Sequence, residues 1–208
     1  MNKHNSQKQG VYIVLEGIDG TGKSTQIELL KKHFQRLKKK VVVTREPNNL
    51  KLRKMIMAAD CPVETLFLFL ADRSAQYQRV MQWMSEGKIV LSDRSYPSSW
   101  AYQYEAGNLK KYLPKKVMER IDLMSRYGTN PDAMIVIDIP VKEAMRRLGN
   151  RTKEQERFEK EVFLKKVHKA YTDMAKSKKW DVVSGMGTSE QVHERIIIAL
   201  QKRTLAVL

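Results

Sequence analysis

Gly17-Ile18-Asp19-Gly20-Thr21-Gly22-Lys23-Ser24-Thr25 fits G-x-x-x-x-G-K-[S/T] at every fixed position. Just before it, residues 11–15 are apolar and partly β-branched, as a buried parallel strand requires. Just after it, residues 24–37 carry Ile27, Leu29, Leu30, Phe34 and Leu37 at mostly helical spacing. Strand, glycine loop and helix thus stand in the order of a phosphate-binding loop. The glycines let the backbone curl so that successive N–H groups point inward, and the helix N-terminus adds partial positive charge there. In such a loop Lys23 bridges the β- and γ-phosphates, and the Ser24 hydroxyl holds Mg²⁺.

Beyond this loop, strands and helices are expected to alternate. Residues 40–44 carry three contiguous valines and read as a second strand. A short helix is expected over 50–59, and a long one opens at Pro62 and runs to Gly87. Residues 88–92 are a third strand, ending at Asp93. Residues 114–127 read as a helix, 133–137 as a fourth strand and 141–148 as a helix. A long helix is expected to reach about Met174, followed by a short strand over 180–183 and a last helix bearing Val192, Ile196 and Leu200. The pattern predicts an α/β protein: a five-stranded parallel sheet with helices on both faces. A loose polar tail is expected over 1–10 and one domain over 11–208.

Composition narrows the classes. The 208 residues are 42% hydrophobic and 30% charged, as in a soluble globular protein. The single cysteine forbids an internal disulfide and fits a reducing, cytoplasmic setting. No run approaches the roughly 18 apolar residues of a membrane span. The net charge of +16 has two readings, a nucleic-acid surface or a solvated exterior around a pocket for anionic nucleotides. Because the lysines are scattered over many segments, no dedicated nucleic-acid role is expected.

Individual positions leave alternatives open. Asp93, at the carboxyl end of an apolar strand, either holds Mg²⁺ or its water beside the loop or caps the next helix. Phe69 is either a core residue or a stacking platform, and Arg73 one helical turn on favours the second. Arg147, Arg151 and Arg157, spaced at about one helical turn or slightly more, read as a solvated charged face.

Four separated blocks resemble the thymidylate kinases, a branch of the P-loop nucleoside monophosphate kinases. They are the loop with Glu16 before it, Thr44-Arg45-Glu46-Pro47, Phe69-Leu70-Ala71-Asp72-Arg73, and Asp93-Arg94 followed by Ser98 and Ala101-Tyr102-Gln103. The resemblance implies transfer of the ATP γ-phosphate to dTMP, dependent on Mg²⁺, by a homodimer whose contact helix begins near Val63. It implies that Asp19 accepts from the deoxyribose 3′-OH, Phe69 stacks on thymine and Arg73 donates to its O4. Arg94, with Arg53 a further candidate, binds the acceptor phosphate. Ser99 faces the base, and Tyr102 lies beneath the sugar. Members of the family stabilise the migrating phosphoryl group either with a basic loop residue or with lid arginines. Gly20 in the loop points to the second design, with a lid over about 149–157, Arg151 as the arginine finger, Arg147 over the adenine and Arg157 as a further phosphate contact. Two positions depart from the family pattern: Asn48-Asn49 stands where Gly-Gly is usual, and Ser95 where an aromatic or His is common. Another nucleotide or nucleoside kinase on the same scaffold, and a nucleic-acid-binding ATPase, are the competing expectations.

Overall fold

The alternation along β1 (Val11–Glu16) sets the layers of the molecule. Val11, Ile13 and Leu15 face one side and pack with Ile27, Leu30 and Phe34 of α1 (Lys23–Arg36) and with Val192, Ile196 and Leu200 of α8 (Ser189–Lys202). Tyr12 and Val14 face the other side and pack with Tyr77 and Val80 of α3 (Pro62–Ser85). Every residue of β1 is buried, so it lies at the centre of a sheet covered on both faces. The computed structural model describes residues 10–149 and 154–203.

Five parallel strands pair in the order β2-β3-β1-β4-β5. The other strands are β2 (Val41–Arg45), β3 (Ile89–Asp93), β4 (Ala133–Asp138) and β5 (Asp181–Ser184). β1 has β3 on one side and β4 on the other, with Leu15 paired to Asp93 and to Ile135. The chain reverses its direction of winding at β1, so a crevice opens at the carboxyl ends there. The glycine loop and Asp93 both emerge into it.

The expected strands and helices are present, with ends shifted by a few residues; among them are α5 (Lys115–Ser125) and α6 (Val141–Leu148). The helix expected to end near Met174 is α7 (Glu154–Lys178), one turn longer. The segment after β3 differs more. Tyr96–Ser98, labelled α4, runs directly into a π-helix, Ser99–Ala106, and a short 3₁₀ turn follows at Leu109–Lys111. A π-helix bonds i to i+5, so the 3.6-residue period that reveals α-helices in sequence does not reveal it. Its wider turn brings Tyr102 and Gln103 to the crevice while Ala101, Tyr104 and Ala106 stay buried.

The two departures from the family pattern have local causes. Asn49 caps α2 (Leu50–Ala58): its side chain accepts from Lys51 N at 2.9 Å and Leu52 N at 3.2 Å. Asn48 N and Asn49 N in turn donate to the buried Asp72 carboxylate on α3, at 2.8 and 2.7 Å. The loop is thus held by a cap and a carboxylate and needs no glycine flexibility at Asn49, whose φ is −73°. Ser95 leaves room for two phenols: its Oγ lies 2.8 Å from the Tyr77 hydroxyl and 3.5 Å from that of Tyr12.

Candidate active site

One cleft of about 530 Å³ collects most of the residues expected to act, from the glycine loop at one end to Phe69 at the other. Gly22 ends the loop with φ 91° and opens α1, whose first residue is Lys23. Lys23 is only 6% exposed. Its ammonium folds back on the loop and donates to Gly17 O at 3.0 Å, Ile18 O at 2.8 Å and Thr21 Oγ1 at 3.4 Å. Burial pushes its pKa down to about 7, Arg94 adds repulsion, and Asp93, Asp19 and Glu16 restore only part. Gly20 has φ +86°, and a Cβ there would meet the Ala144 carbonyl at 2.9 Å. No side chain, basic or otherwise, is accommodated at that position without strain.

Ser24 Oγ donates to Asp93 Oδ2 at 2.6 Å. Asp93 therefore faces the loop hydroxyl rather than capping α4, whose first residues receive no side-chain cap. Two oxygen donors in contact at a phosphate site suit a small hard cation that takes its other ligands from water and substrate phosphates. Among the described residues no group of three or more His, Cys, Asp or Glu side chains forms a separate metal site.

The next group is centred on Arg94, a non-glycine residue in the left-handed region at φ 75°. Its Nη2 donates to Asp19 Oδ1 at 2.7 Å and to the Tyr102 hydroxyl at 3.2 Å. The guanidinium also lies 4.9 Å from the centre of the Tyr102 ring. Desolvation pushes the Asp19 carboxyl up, but Arg94 and Lys23 outweigh it and hold the group below the usual carboxylate range. The Tyr102 hydroxyl accepts from Asp19 N at 3.1 Å, and burial pushes its pKa up to about 12.

At the far end, Phe69 is half-buried and lines the cleft, so its ring is a wall and not a core residue. Arg53 lines the cleft as well. Arg73 and Ser99 do not; they lie behind the wall. Arg73 has no exposed surface, and its guanidinium donates to Glu46 Oε2 at 2.9 Å, Asp122 Oδ1 at 3.4 Å and Ser99 Oγ at 2.8 Å. Arg147 spans the rim of the loop, donating to Gly20 O at 3.4 Å, Gly185 O at 3.1 Å and Glu143 at 2.7 Å. Arg151 lies outside the described residues, as does the side chain of Arg157.

Sequence reasoning assigned no role to Arg45, Ile56, Met57 and Gln103, all of which line the cleft. Arg45 and Gln103 stand inside quoted blocks, so a signal existed. Ile56 and Met57 read only as one face of a short helix. Glu16 and Tyr171 lie behind Arg94; Glu16 is adjacent to the glycine loop, whereas nothing around Tyr171 distinguishes it from a core tyrosine.

The family model described as thymidylate kinase matches residues 15–196. The chain belongs to the thymidylate kinase family. It is 37% identical to a thymidylate kinase of Thermosipho melanesiensis, over 89% of this chain and 95% of that one. It is 33% identical to a probable thymidylate kinase of Thermococcus gammatolerans, over 95% and 99% of the two chains. A thymidylate kinase of Prochlorococcus marinus is 31% identical over 90% of this chain and 91% of its own.

The depressed Lys23 pKa makes a stability prediction with a definite sign. In the unfolded chain a lysine titrates near about 10.4; in the folded protein Lys23 titrates at about 7. Between those values the unfolded chain holds a proton that the folded chain has released, so this group makes stability rise with pH. Its penalty is fully present below the folded pKa. Lys23→Met removes the penalty together with the ammonium. The variant should transfer phosphate negligibly, and its ligand-free melting temperature should exceed that of the parent most at about pH 6.5 and least at about pH 9.5. A gap that does not change across that window would show that Lys23 is not desolvated.

Proposed function

We propose that this protein transfers the γ-phosphoryl group of ATP to dTMP, giving dTDP and ADP. The observation that carries the proposal is the shared cleft, in which a phosphate loop faces the Arg94 group and a Phe69 wall. Family membership supports the same reaction. In-line transfer needs little covalent work from the protein; it needs two anions brought together and the spreading charge compensated. Lys23 exchanges the loop carbonyls for the β- and γ-phosphates, and the N–H groups of the glycine loop cradle them. Mg²⁺, when bound, neutralises charge on the donor phosphates, and Ser24 and Asp93 are assigned to hold it or its waters. Arg94 and Arg53 take the acceptor phosphate. Asp19, released from Arg94, accepts from the 3′-OH, and Tyr102 crowds the 2′ position.

Phe69 stacks on the base, which is worth about 1–3 kcal/mol. Arg73 and Ser99 remain assigned to base readout from behind it. Glu46, Ser99 and Asp122 engage four of the five guanidinium N–H groups, which leaves one Nη1 hydrogen for thymine O4. Since Arg73 is fully buried, that contact requires the wall to shift on binding. Arg147, fixed between the loop and Gly185, is assigned to the adenine. The exposed Cys61 thiol fits a reducing compartment, and we assign the enzyme to the cytoplasm.

A coupled ADP-release assay with dTMP, dUMP, dCMP, dGMP, AMP and thymidine tests the reaction. dTMP should be the fastest acceptor, thymidine should be inert, and added nucleic acid should leave the rate unchanged. Faster turnover of another monophosphate would move the chain to a different kinase specificity.

Gly20 cannot carry a basic side chain, so charge on the migrating group must be met from elsewhere, and we assign that role to Arg151. Arg151→Ala should lower kcat by about 10³-fold or more with little change in KM for dTMP. Arg151→Lys should recover part of the loss, since a point charge replaces a planar fork. Near-normal kcat in Arg151→Ala would return this segment to a solvated charged face.

Homodimerisation is assigned to the outer face of α2 and α3. There Leu50 is 73% and Phe67 61% exposed, large apolar groups that favour a partner. Phe67→Glu should convert a dimer to a monomer in sedimentation velocity; an unchanged mass would place the contact elsewhere.

A further inference from the structure

Arg94 has two chemically different edges. The Nη2 edge faces the cleft and touches Asp19, whose side chain is 54% exposed. The Nη1 edge faces the interior. It donates to Ser98 Oγ at 3.0 Å and to the Tyr171 hydroxyl at 3.2 Å. Both hydroxyls pass the interaction on to one carboxylate oxygen: Ser98 donates to Glu16 Oε2 at 2.9 Å and Tyr171 at 2.7 Å. The two hydroxyl oxygens are themselves 2.9 Å apart. Glu16 is fully buried and its other oxygen accepts from Ser95 N at 2.7 Å. The direct Arg94–Glu16 separation is 4.0 Å, so the hydroxyls carry most of the contact.

We propose that Tyr171, together with Ser98, is a positioning residue that fixes the inner edge of Arg94 so that only the outer edge exchanges partners when the acceptor phosphate binds. The inference rests on the assignment of Arg94 to that phosphate. Three facts support it. Tyr171 is 2% exposed, and its hydroxyl makes all three contacts, so its polar atom is committed to this group. It comes from α7 whereas Ser98 comes from α4, so two separate elements hold the same Nη1 edge of the guanidinium. Finally, Arg94 holds a left-handed backbone conformation that disfavours non-glycine residues, and such a conformation persists only when its surroundings over-determine it. Burial drives the Glu16 carboxyl up, whereas Arg94 and the donors from Tyr171 and Ser95 oppose that shift. Glu16 therefore acts as an acceptor for this set of donors.

The test separates phosphate binding from nucleoside binding. Calorimetric titrations of dTMP and of thymidine are made with the parent, Tyr171→Phe and Ser98→Ala. Tyr171→Phe keeps the ring and removes the hydroxyl that accepts from Arg94 and donates to Glu16. Its affinity for dTMP should fall by about 10-fold, with thymidine affinity unchanged. Ser98→Ala should behave alike, since it removes the other hydroxyl. A fall that is equal for both ligands would indicate general loosening and overturn the inference. So would unchanged dTMP affinity in both variants. Arg94→Met is the control for the underlying assignment. Loss of the preference for dTMP over thymidine there, with the preference intact in Tyr171→Phe and Ser98→Ala, overturns only the positioning role. Retention of the preference in Arg94→Met overturns the assignment of Arg94 itself.

Discussion

A buried carboxylate at the end of the central strand governs the arrangement of the catalytic crevice. The alternation of β1 turns Glu16 toward the layer that holds Tyr12 and Val14, away from α1 and α8. A charge in that position is costly unless donors surround it. Ser95 N, Ser98 and Tyr171 supply them, and in doing so they tie the first turn after β3 and the middle of α7 to the root of the glycine loop. Arg94 completes the group. The crevice is therefore held by a polar network whose members come from three separate parts of the chain, while the apolar layers above and below keep water out of it.

In the absence of phosphates the same network balances its own charges. Asp19 occupies the outer edge of Arg94, and the loop carbonyls occupy the ammonium of Lys23. On the proposed roles, a phosphate oxygen would exchange with Asp19 at Arg94, one charge-assisted bond for another, and with neutral carbonyls at Lys23, where the bond gained is the stronger. The rest of each side chain would keep its place, leaving little reorganisation for the moment of reaction. Asp19 is more than half exposed and can turn outward without crossing the interior.

Much of this was legible in the sequence because the relevant residues are adjacent to strong local signals. The glycine loop, Lys23, Ser24 and Asp93 follow apolar strands, and the strands carry their own period. What was not legible depends on long-range contacts. Tyr171 lies 155 positions from Glu16 and sits in a helix whose apolar pattern gives no reason to single it out. The π-helix hides how the block Ala101-Tyr102-Gln103 is turned toward the cleft, because its spacing matches no standard template. Arg73 shows the opposite failure: the block containing it was recognised, but its burial behind Phe69 and its bonds to Glu46, Asp122 and Ser99 could not be inferred from helical spacing. Asn48-Asn49 looked like a defect in a motif, and the cap and the Asp72 contacts show that the loop has a different means of support.

The packing of α6 (Val141–Leu148) against the glycine loop limits how catalytic charge can be supplied. The Ala144 carbonyl lies where a side chain on Gly20 would begin, and Leu148 stands beside it. Arg147, from the same helix, binds the carbonyl of Gly20 on the outer side. The loop is thus closed off by a helix whose backbone excludes one cation and whose side chain introduces another. A guanidinium placed on that rim can follow the nucleotide without belonging to the loop, and it leaves the loop free of a side chain that would need space in both the empty and filled states. With Gly20 closed to a side chain, Lys23 is the cation that the loop itself supplies, and the other cationic side chains of the cleft, Arg45, Arg53 and Arg94, come from outside it. Gly149 ends α6 at φ +82°, a conformation that glycine adopts without strain and that stops the helix just past Arg147.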